Sequence, residues 1–280
     1  MSLSYFFIFS PPNSGTTVMS QFLARNIHNS YIPTFGNNEG QFAPNVKKIM
    51  RNGEWEEESN FDWEYIKSEW DKLMIAEKKC IFIEASPPNI MRVKEILKFF
   101  PSSKFVFSIS SPYSFVASFM YNYKKDINEA SKFYIKTAKK QILNIDSFDF
   151  KPPRITYEEF CNDPNTLLRK FDIKCTQDSS NDSFISGKGN SKISKLINNL
   201  PKHLSYLGFN KIIELNNILL SEPEVLNYFG YQILNVEQCD QIIRQNPLLA
   251  NEGSKRNIEE MIELKLRFSS KIKKLIKNIF

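Results

Sequence analysis

The chain has 280 residues, 41% of them hydrophobic and 24% charged, which excludes a disordered or fibrous chain and allows a sizeable core. No apolar run reaches the ~18 residues of a membrane-spanning helix, and the N-terminal run lacks the length and basic flank of a secretion signal. Four scattered cysteines without a C-x-x-C spacing and only two histidines leave metal and disulfide readings weak, so free thiols in a reducing, cytoplasmic setting are expected and no metal. The net charge of +6 is spread along the sequence and suits a nucleotide-like anion at least as well as a nucleic acid; no basic stripe with interleaved aromatics favours the latter.

Tyr5-Phe6-Phe7-Ile8-Phe9 reads as a strand buried on both faces. The prolines of Pro11-Pro12-Asn13-Ser14-Gly15-Thr16-Thr17 cannot continue a ladder, and Val18, Met19, Phe22 and Leu23 then recur at helical spacing. Such a loop is either a plain strand-to-helix connection or a cradle whose N–H groups and helix dipole hold a phosphate or sulfate. It is not the loop of a nucleoside triphosphatase, because Gly15 is followed by Thr16 rather than Lys and stands alone. Ser30–Phe35 predicts a short second strand, Gly36–Gly40 a turn, and Asn45–Met50 a short helical piece. A helix capped by Asn60 is expected over Phe61–Glu77, with Trp63, Ile66, Trp70, Leu73 and Met74 at helical spacing. Trp55, Trp63 and Trp70 read as packing residues, with a substrate-pocket wall as the alternative.

Cys80–Glu84 is the next buried strand, and Ala85-Ser86-Pro87-Pro88-Asn89 opens a helix over Ile90–Phe100. Lys104–Ser110 follows as a strand, and Pro112 starts a helix carrying Phe115, Val116, Ser118 and Phe119. A further helix spans Asn128–Leu143, Arg154–Tyr157 forms a fourth strand, and Asp163-Pro164 begins a helix through Phe171. Repeated strand–loop–helix units with apolar strands predict an α/β fold with a parallel sheet covered on both faces. Thr176–Asn190 is a polar surface loop. Helical patterns resume at Ile193–Asn199, Lys211–Leu219 and Glu222–Phe229, the last stopping at Gly230. Asn257–Phe280 is a basic amphipathic helix for packing on the body, on a second copy in a homo-oligomer, or on a membrane surface.

Several pieces stand in one order: Pro12-Asn13-Ser14-Gly15-Thr16-Thr17, Glu84-Ala85-Ser86-Pro87, Phe100-Pro101 through Ser110-Ser111-Pro112 to Ser118, Thr156-Tyr157-Glu158-Glu159-Phe160 with Asp163-Pro164, and Phe229-Gly230-Tyr231. That order resembles the sulfotransferases that use 3′-phosphoadenosine 5′-phosphosulfate (PAPS), over about residues 5–231. Glu39-Gly40-Gln41-Phe42 resembles, more loosely, a stretch of bacterial members. The resemblance implies a three-layer fold around a central parallel sheet, related to P-loop nucleotide kinases. We divide the chain into a sulfotransferase-like domain over 1–235 and a helical extension over 236–280.

By the same resemblance Ser14, Gly15, Thr16 and Thr17 hold the 5′-phosphosulfate, Ser118 the 3′-phosphate, and Tyr157 lies near the nucleotide. Lys188 supplies a cation to the 3′-phosphate. Each has a plainer reading: Ser118 as a small residue on a packed helix, Tyr157 as core, Lys188 as a solvated loop lysine. Three family cations are replaced, by Asn13 in the loop, by Ala85, and by Ser110 where an arginine grips the 3′-phosphate. Arg92, Lys94 and Lys188 are the candidates to compensate. Sulfuryl transfer to a hydroxyl or amine of a carbohydrate or small molecule is implied. Glu84 is expected as general base, Asn13 as a neutral donor at the leaving oxygen, and Glu39 as the second carboxylate candidate. Glu84 could instead cap the following loop. The acceptor is expected to bind in Tyr31–Glu77. The alternatives are a catalytically degenerate binding protein and, with less support, a small-molecule kinase.

Overall fold

A computed structural model describes residues 2–58, 60–174, 184–185, 192–193, 196–260 and 262. In chain order the elements are β1 (Ser4–Phe9), α1 (Thr16–Asn26), β2 (Ser30–Tyr31), α2 (Lys47–Met50), α3 (Trp63–Ala76), β3 (Ile81–Glu84), α4 (Val93–Phe99), β4 (Lys104–Ile109), α5 (Pro112–Tyr123), α6 (Ile127–Asp146), β5 (Arg154–Thr156), α7 (Tyr157–Asn162), α8 (Asn165–Arg169), β6 (Phe184–Ile185), β7 (Lys192–Ile193), α9 (Leu200–Leu220), α10 (Pro223–Phe229) and α11 (Val236–Gln245). They form two compact units, Met1–Ser111 with Phe133–Asn198, and Pro112–Lys132 with Asn199–Phe280.

The first unit is built on a five-stranded, all-parallel sheet in the order β2-β3-β1-β4-β5. Phe7 lies opposite Glu84, Phe9 opposite Phe107, and Ile109 opposite Thr156. β1 is central, and its alternating side chains serve both faces. Phe6 and Ile8, with Ile83, Val106 and Ile155, meet Val18, Met19, Phe22 and Leu23 of α1 and Phe160, Leu167 and Leu168 of α7 and α8. Tyr5, Phe7 and Phe9 point the other way. Tyr5 meets the Phe100 ring edge-on at 4.5 Å, and Trp70 of α3 stacks on Phe82 at 5.0 Å. The expected α/β layers are therefore present, and each buried aromatic contributes on the order of 2 kcal/mol.

Local chemistry moved several boundaries. α3 is capped by Asp62, whose carboxylate accepts from Tyr65 N–H at 2.9 Å, rather than by Asn60. The second strand stops at Tyr31, short of Pro33. Pro87–Arg92 forms a tighter 3-10 turn before α4. Tyr157 opens a helix instead of closing a strand, because Thr156 and Glu159 make a capping box. Residues 196–199, expected to be helical, carry no regular structure; the helix begins at Leu200, with Pro201 in its first turn.

In the second unit α9 is broken at Gly208, whose φ of 68° no helix accommodates. Tyr113 Oη donates to Asn216 Oδ1 at 2.7 Å and accepts from Leu234 N–H at 2.8 Å. Residues 247–260 are helical and approach α9 closely: a Cβ on Gly253 would lie 2.0 Å from the Lys202 carbonyl oxygen. α10 ends at Gly230 in the left-handed conformation, as its sequence predicted. The expected extension over 236–280 falls within this unit. Among the described residues no helix is long and apolar enough to cross a membrane. Lys188 and most of Asn257–Phe280 lie outside the described residues.

Candidate active site

The C-terminal ends of β1, β3 and β4 stand side by side, the place where open α/β sheets present ligands. After β1 the chain turns through two left-handed residues, Asn13 at φ 58° and Gly15 at φ 78°. Asparagine tolerates that conformation better than other side chains, and glycine pays nothing for it. The first bonds of α1 run from Val18 and Met19 N–H to the Gly15 carbonyl. The N–H groups of Gly15, Thr16 and Thr17 therefore precede the helical ladder and converge at its positive end. Gly15 is required twice over. A Cβ there would sit 2.2 Å from two carbons of the Tyr157 ring. Tyr157 thus braces the loop from α7, with its hydroxyl held well above the usual tyrosine range by burial and by Cys161. Ser14, fully buried, shares a 3.1 Å hydrogen bond with the equally buried Ser110 at the end of β4.

β3 ends in a buried carboxylate. Glu84 Oε2 accepts from Gly40 N–H at 2.7 Å, and Oε1 accepts from Ser86 N–H and Asn89 Nδ2 at 3.0 Å each. Burial pushes its carboxyl up, and these donors oppose the push. The approach is so close that a Cβ on Gly40 would fall 2.3 Å from Glu84 Oε2. The Gly40 carbonyl accepts from Trp70 Nε1 at 3.3 Å, and Gln41 N–H donates to Ser86 Oγ at 3.1 Å. Residues 39–41 are thereby pinned to the end of β3. Glu39 is itself buried, and Gln41 Nε2 donates to its Oε2. Burial pushes the Glu39 carboxyl up to about 7; the Gln41 bond pulls it back, the Glu84 charge pushes it up again, and Asn37 and Arg51 oppose.

Two of the three positions where the resemblance led us to expect a cation, Ala85 and Ser110, are packed inside. Ala85 belongs to the apolar cluster between the sheet and α1, and Ser110 is fully buried. Arg92 does not compensate: its guanidinium donates to the carbonyls of Gly53, Glu54 and Glu56 and lies 4.0 Å from the centre of the Phe61 ring. Lys94 is exposed on α4. The loop retains a neutral donor set, backbone N–H and hydroxyl groups, which fits an anion without supplying countercharge.

The structure therefore brings together Ser14 with Ser110, Gly15 with Tyr157, and Glu84 with Gly40. Ser118 belongs to the second unit, on α5, where its hydroxyl lies 3.1 Å from His203 Nε2. Burial, with Arg256 and Lys202 nearby, pulls His203 down to about 3. Trp63 and Trp70 are core residues, and Trp55 packs edge-on against Phe133 at 5.0 Å. The burial of Glu39 and Gln41 beside the end of β3 is the main point that sequence order did not show. The signal was the Glu39-Gly40-Gln41 stretch itself, whose glycine is explained by Glu84, 44 residues away, and by the Trp70 ring.

No curated protein matches this chain. Among solved structures it is similar to the sulfotransferase domain from the olefin synthase of Synechococcus PCC 7002. The two share 14% identity over 87% of this chain and 94% of that one, with a TM-score of 0.40. The model of the sulfotransferase family matches residues 6–171, from the central strand through the Gly15 loop, the Glu84 strand and the Tyr157 helix. With more than half of its length matched, and the loop, sheet and strand-end carboxylate in place, the chain belongs to the sulfotransferase family.

Proposed function

We propose that the chain transfers a sulfuryl group from PAPS to a hydroxyl or amine of a small-molecule or carbohydrate acceptor. The observation that carries this reading is the left-handed Gly15 turn, braced by Tyr157, that opens α1 beside the buried carboxylates of the neighbouring strand end. When bound, the co-substrate supplies an electrophilic sulfur and a phosphate leaving group. The N–H groups of Gly15, Thr16 and Thr17 bind and orient its anionic end, with the α1 dipole behind them. Asn13 contributes a neutral donor there and no charge. The expected base was Glu84. Three donors already hold its carboxylate, so the acceptor's proton is better assigned to Glu39, whose affinity for it is poised near neutrality. Glu84 then serves as the buried post on which residues 39–41 are mounted.

Titration calorimetry with adenosine 3′,5′-bisphosphate at low salt tests the reading. Binding is expected, weakened by the missing cations. Neither heat nor a thermal shift at millimolar nucleotide would sink it. The second reading is a sulfotransferase-like protein that binds its ligand without chemistry. The small buried residues Ala85 and Ser110 at two family cation positions favour it, and absence of nucleotide binding in a folded protein would select it.

A further inference from the structure

Gln41 is only 3% exposed, yet its side-chain amide is half satisfied. Nε2 donates to Glu39 Oε2. Oε1 is buried and, among the described residues, takes no hydrogen bond. An ionised carboxylate only accepts, so in that state the amide presents its nitrogen to Glu39. The amide is turned to serve Glu39 even though its own oxygen goes without a donor. Buried polar groups left in that state are uncommon and call for a reason.

We propose that Gln41 is the positioning residue for Glu39, with Glu84 as the buried carboxyl behind it. The inference takes its catalytic meaning from the sulfotransferase reading and its geometry from residues 39–41 and 84–86. The backbone on either side of the amide is immobilised: Gly40 N–H is held by Glu84, and Gln41 N–H by Ser86 Oγ. The Gln41 side chain therefore leaves a fixed platform, and its Nε2 restricts where the Glu39 carboxylate can sit. Groups that face Glu39 come from each neighbouring element. They are Gln41 and Asn37 on its own loop, Glu84 at the end of β3, and Arg51 after α2. Gln41 favours the ionised carboxylate by donating to it, and Glu84 disfavours it by like charge. During transfer the acceptor's O–H or N–H proton passes to Glu39 as the new bond to sulfur forms. The electron pair of the breaking S–O bond leaves with the phosphate. Gln41 keeps the receiving oxygen in place before that step, and Glu84 makes the proton welcome after it.

The test reads Glu39 directly. In protein labelled with 13C at the glutamate carboxyl carbon, the Glu39 resonance is identified by its loss in Glu39→Gln and titrated in wild type and variants. The wild-type midpoint is expected near 7. Gln41→Leu should raise it by about one pH unit through loss of the donor, and Glu84→Gln should lower it by about as much. Glu84→Gln keeps an oxygen for Ser86 and Asn89 to face. Gln41→Glu, nearly equal in size, should raise the midpoint too, and serves if the leucine variant fails to fold. The acid limb of turnover should follow the same shifts. A midpoint that Gln41 variants leave unmoved, or one that moves the same way with Gln41→Leu and Glu84→Gln, overturns the proposal. Binding of adenosine 3′,5′-bisphosphate is measured alongside. Binding with an immobile midpoint overturns the positioning role alone, and opposed midpoint shifts without binding overturn the sulfotransferase reading alone.

Discussion

Two neighbouring strand ends in the first unit treat charge in opposite ways. At the end of β3 a full carboxylate is buried and met by three donors, with a second carboxylate mounted beside it. At the ends of β1 and β4 the fold offers hydroxyls and backbone N–H groups, and the positions that resemble family cations are Asn13 and the buried Ser110. Carboxylates are thus buried at one strand end, and neutral donors stand at the others. On the proposed reading the difference separates the two tasks of a transferase: proton acceptance falls to ionisable groups in a dry setting, and anion binding to geometry and dipoles.

The comparison breaks most severely if Glu39 is not the proton acceptor. Glu39→Gln is expected to lower turnover by about 10²–10⁴-fold while leaving binding of adenosine 3′,5′-bisphosphate unchanged. Steady-state rates with equal nucleotide affinity by calorimetry check it; unchanged turnover removes the carboxylate from the mechanism. Because the base must be ionised, wild-type turnover should rise with pH through about 7.

The same carboxylate makes a stability prediction of opposite sign. Its folded-state value, about 7, is raised from 4.5, so the folded protein binds that proton more tightly than the unfolded chain does. The stabilisation is fully present below about 4.5 and is lost as pH rises to about 7, a contribution of roughly 3 kcal/mol. Glu84, also raised, acts in the same direction. Urea midpoints measured across that window should fall with rising pH, and Glu39→Gln should flatten the fall. Parallel curves for the two proteins would show that the site is not as dry as its burial implies.

A third test concerns the anion loop. Gly15 and Gly230 share nearly the same left-handed φ, 78° and 75°, but a Cβ meets the Tyr157 ring at 2.2 Å in one and nothing within 4 Å in the other. Gly230→Ala should cost about 1 kcal/mol, the backbone penalty alone. Gly15→Ala should cost about 3 kcal/mol, backbone penalty plus overpacking. Equal losses by chemical denaturation would mean that Tyr157 yields freely and does not brace the loop.

The sheet was legible because β1, β3 and β4 are short apolar runs bounded by turn residues, and a buried parallel strand needs little else. The Gly15 loop was legible for the same reason, since prolines and a lone glycine interrupt the strand at a fixed point. Capping chemistry was also written in the chain and underused: Asp62, Thr156 with Glu159, and Asn235 with Gln238 each set a helix start. What could not be read was pairing across distance. Nothing near Glu84 announces that Gly40 will donate to it, and nothing near Arg92 announces that three carbonyls of residues 53–56 will take its guanidinium. Burial, which depends on both, raises the carboxyls of Glu39 and Glu84 alike.

The smallest expected effect addresses the cation deficit itself. Of the three positions where the resemblance led us to expect a cation, Ala85 lies in the apolar cluster against α1 and Ser110 is fully buried, so a long cation at either must enter packed interior. Asn13 is different: it is partly exposed and sits on the loop that leads into Gly15. Asn13→Lys can therefore place an ammonium beside the converging N–H groups with its stem along the surface. The left-handed φ of 58° sets a cost of about 1 kcal/mol in stability for a side chain other than asparagine. Against that, a charge-assisted contact to a bound anion should tighten adenosine 3′,5′-bisphosphate by about tenfold, with a steeper salt dependence than wild type. Calorimetric titrations at two ionic strengths check both. If affinity rises without added salt sensitivity, the lysine is not meeting the anion, and the hydroxyl and N–H cradle was already complete without charge.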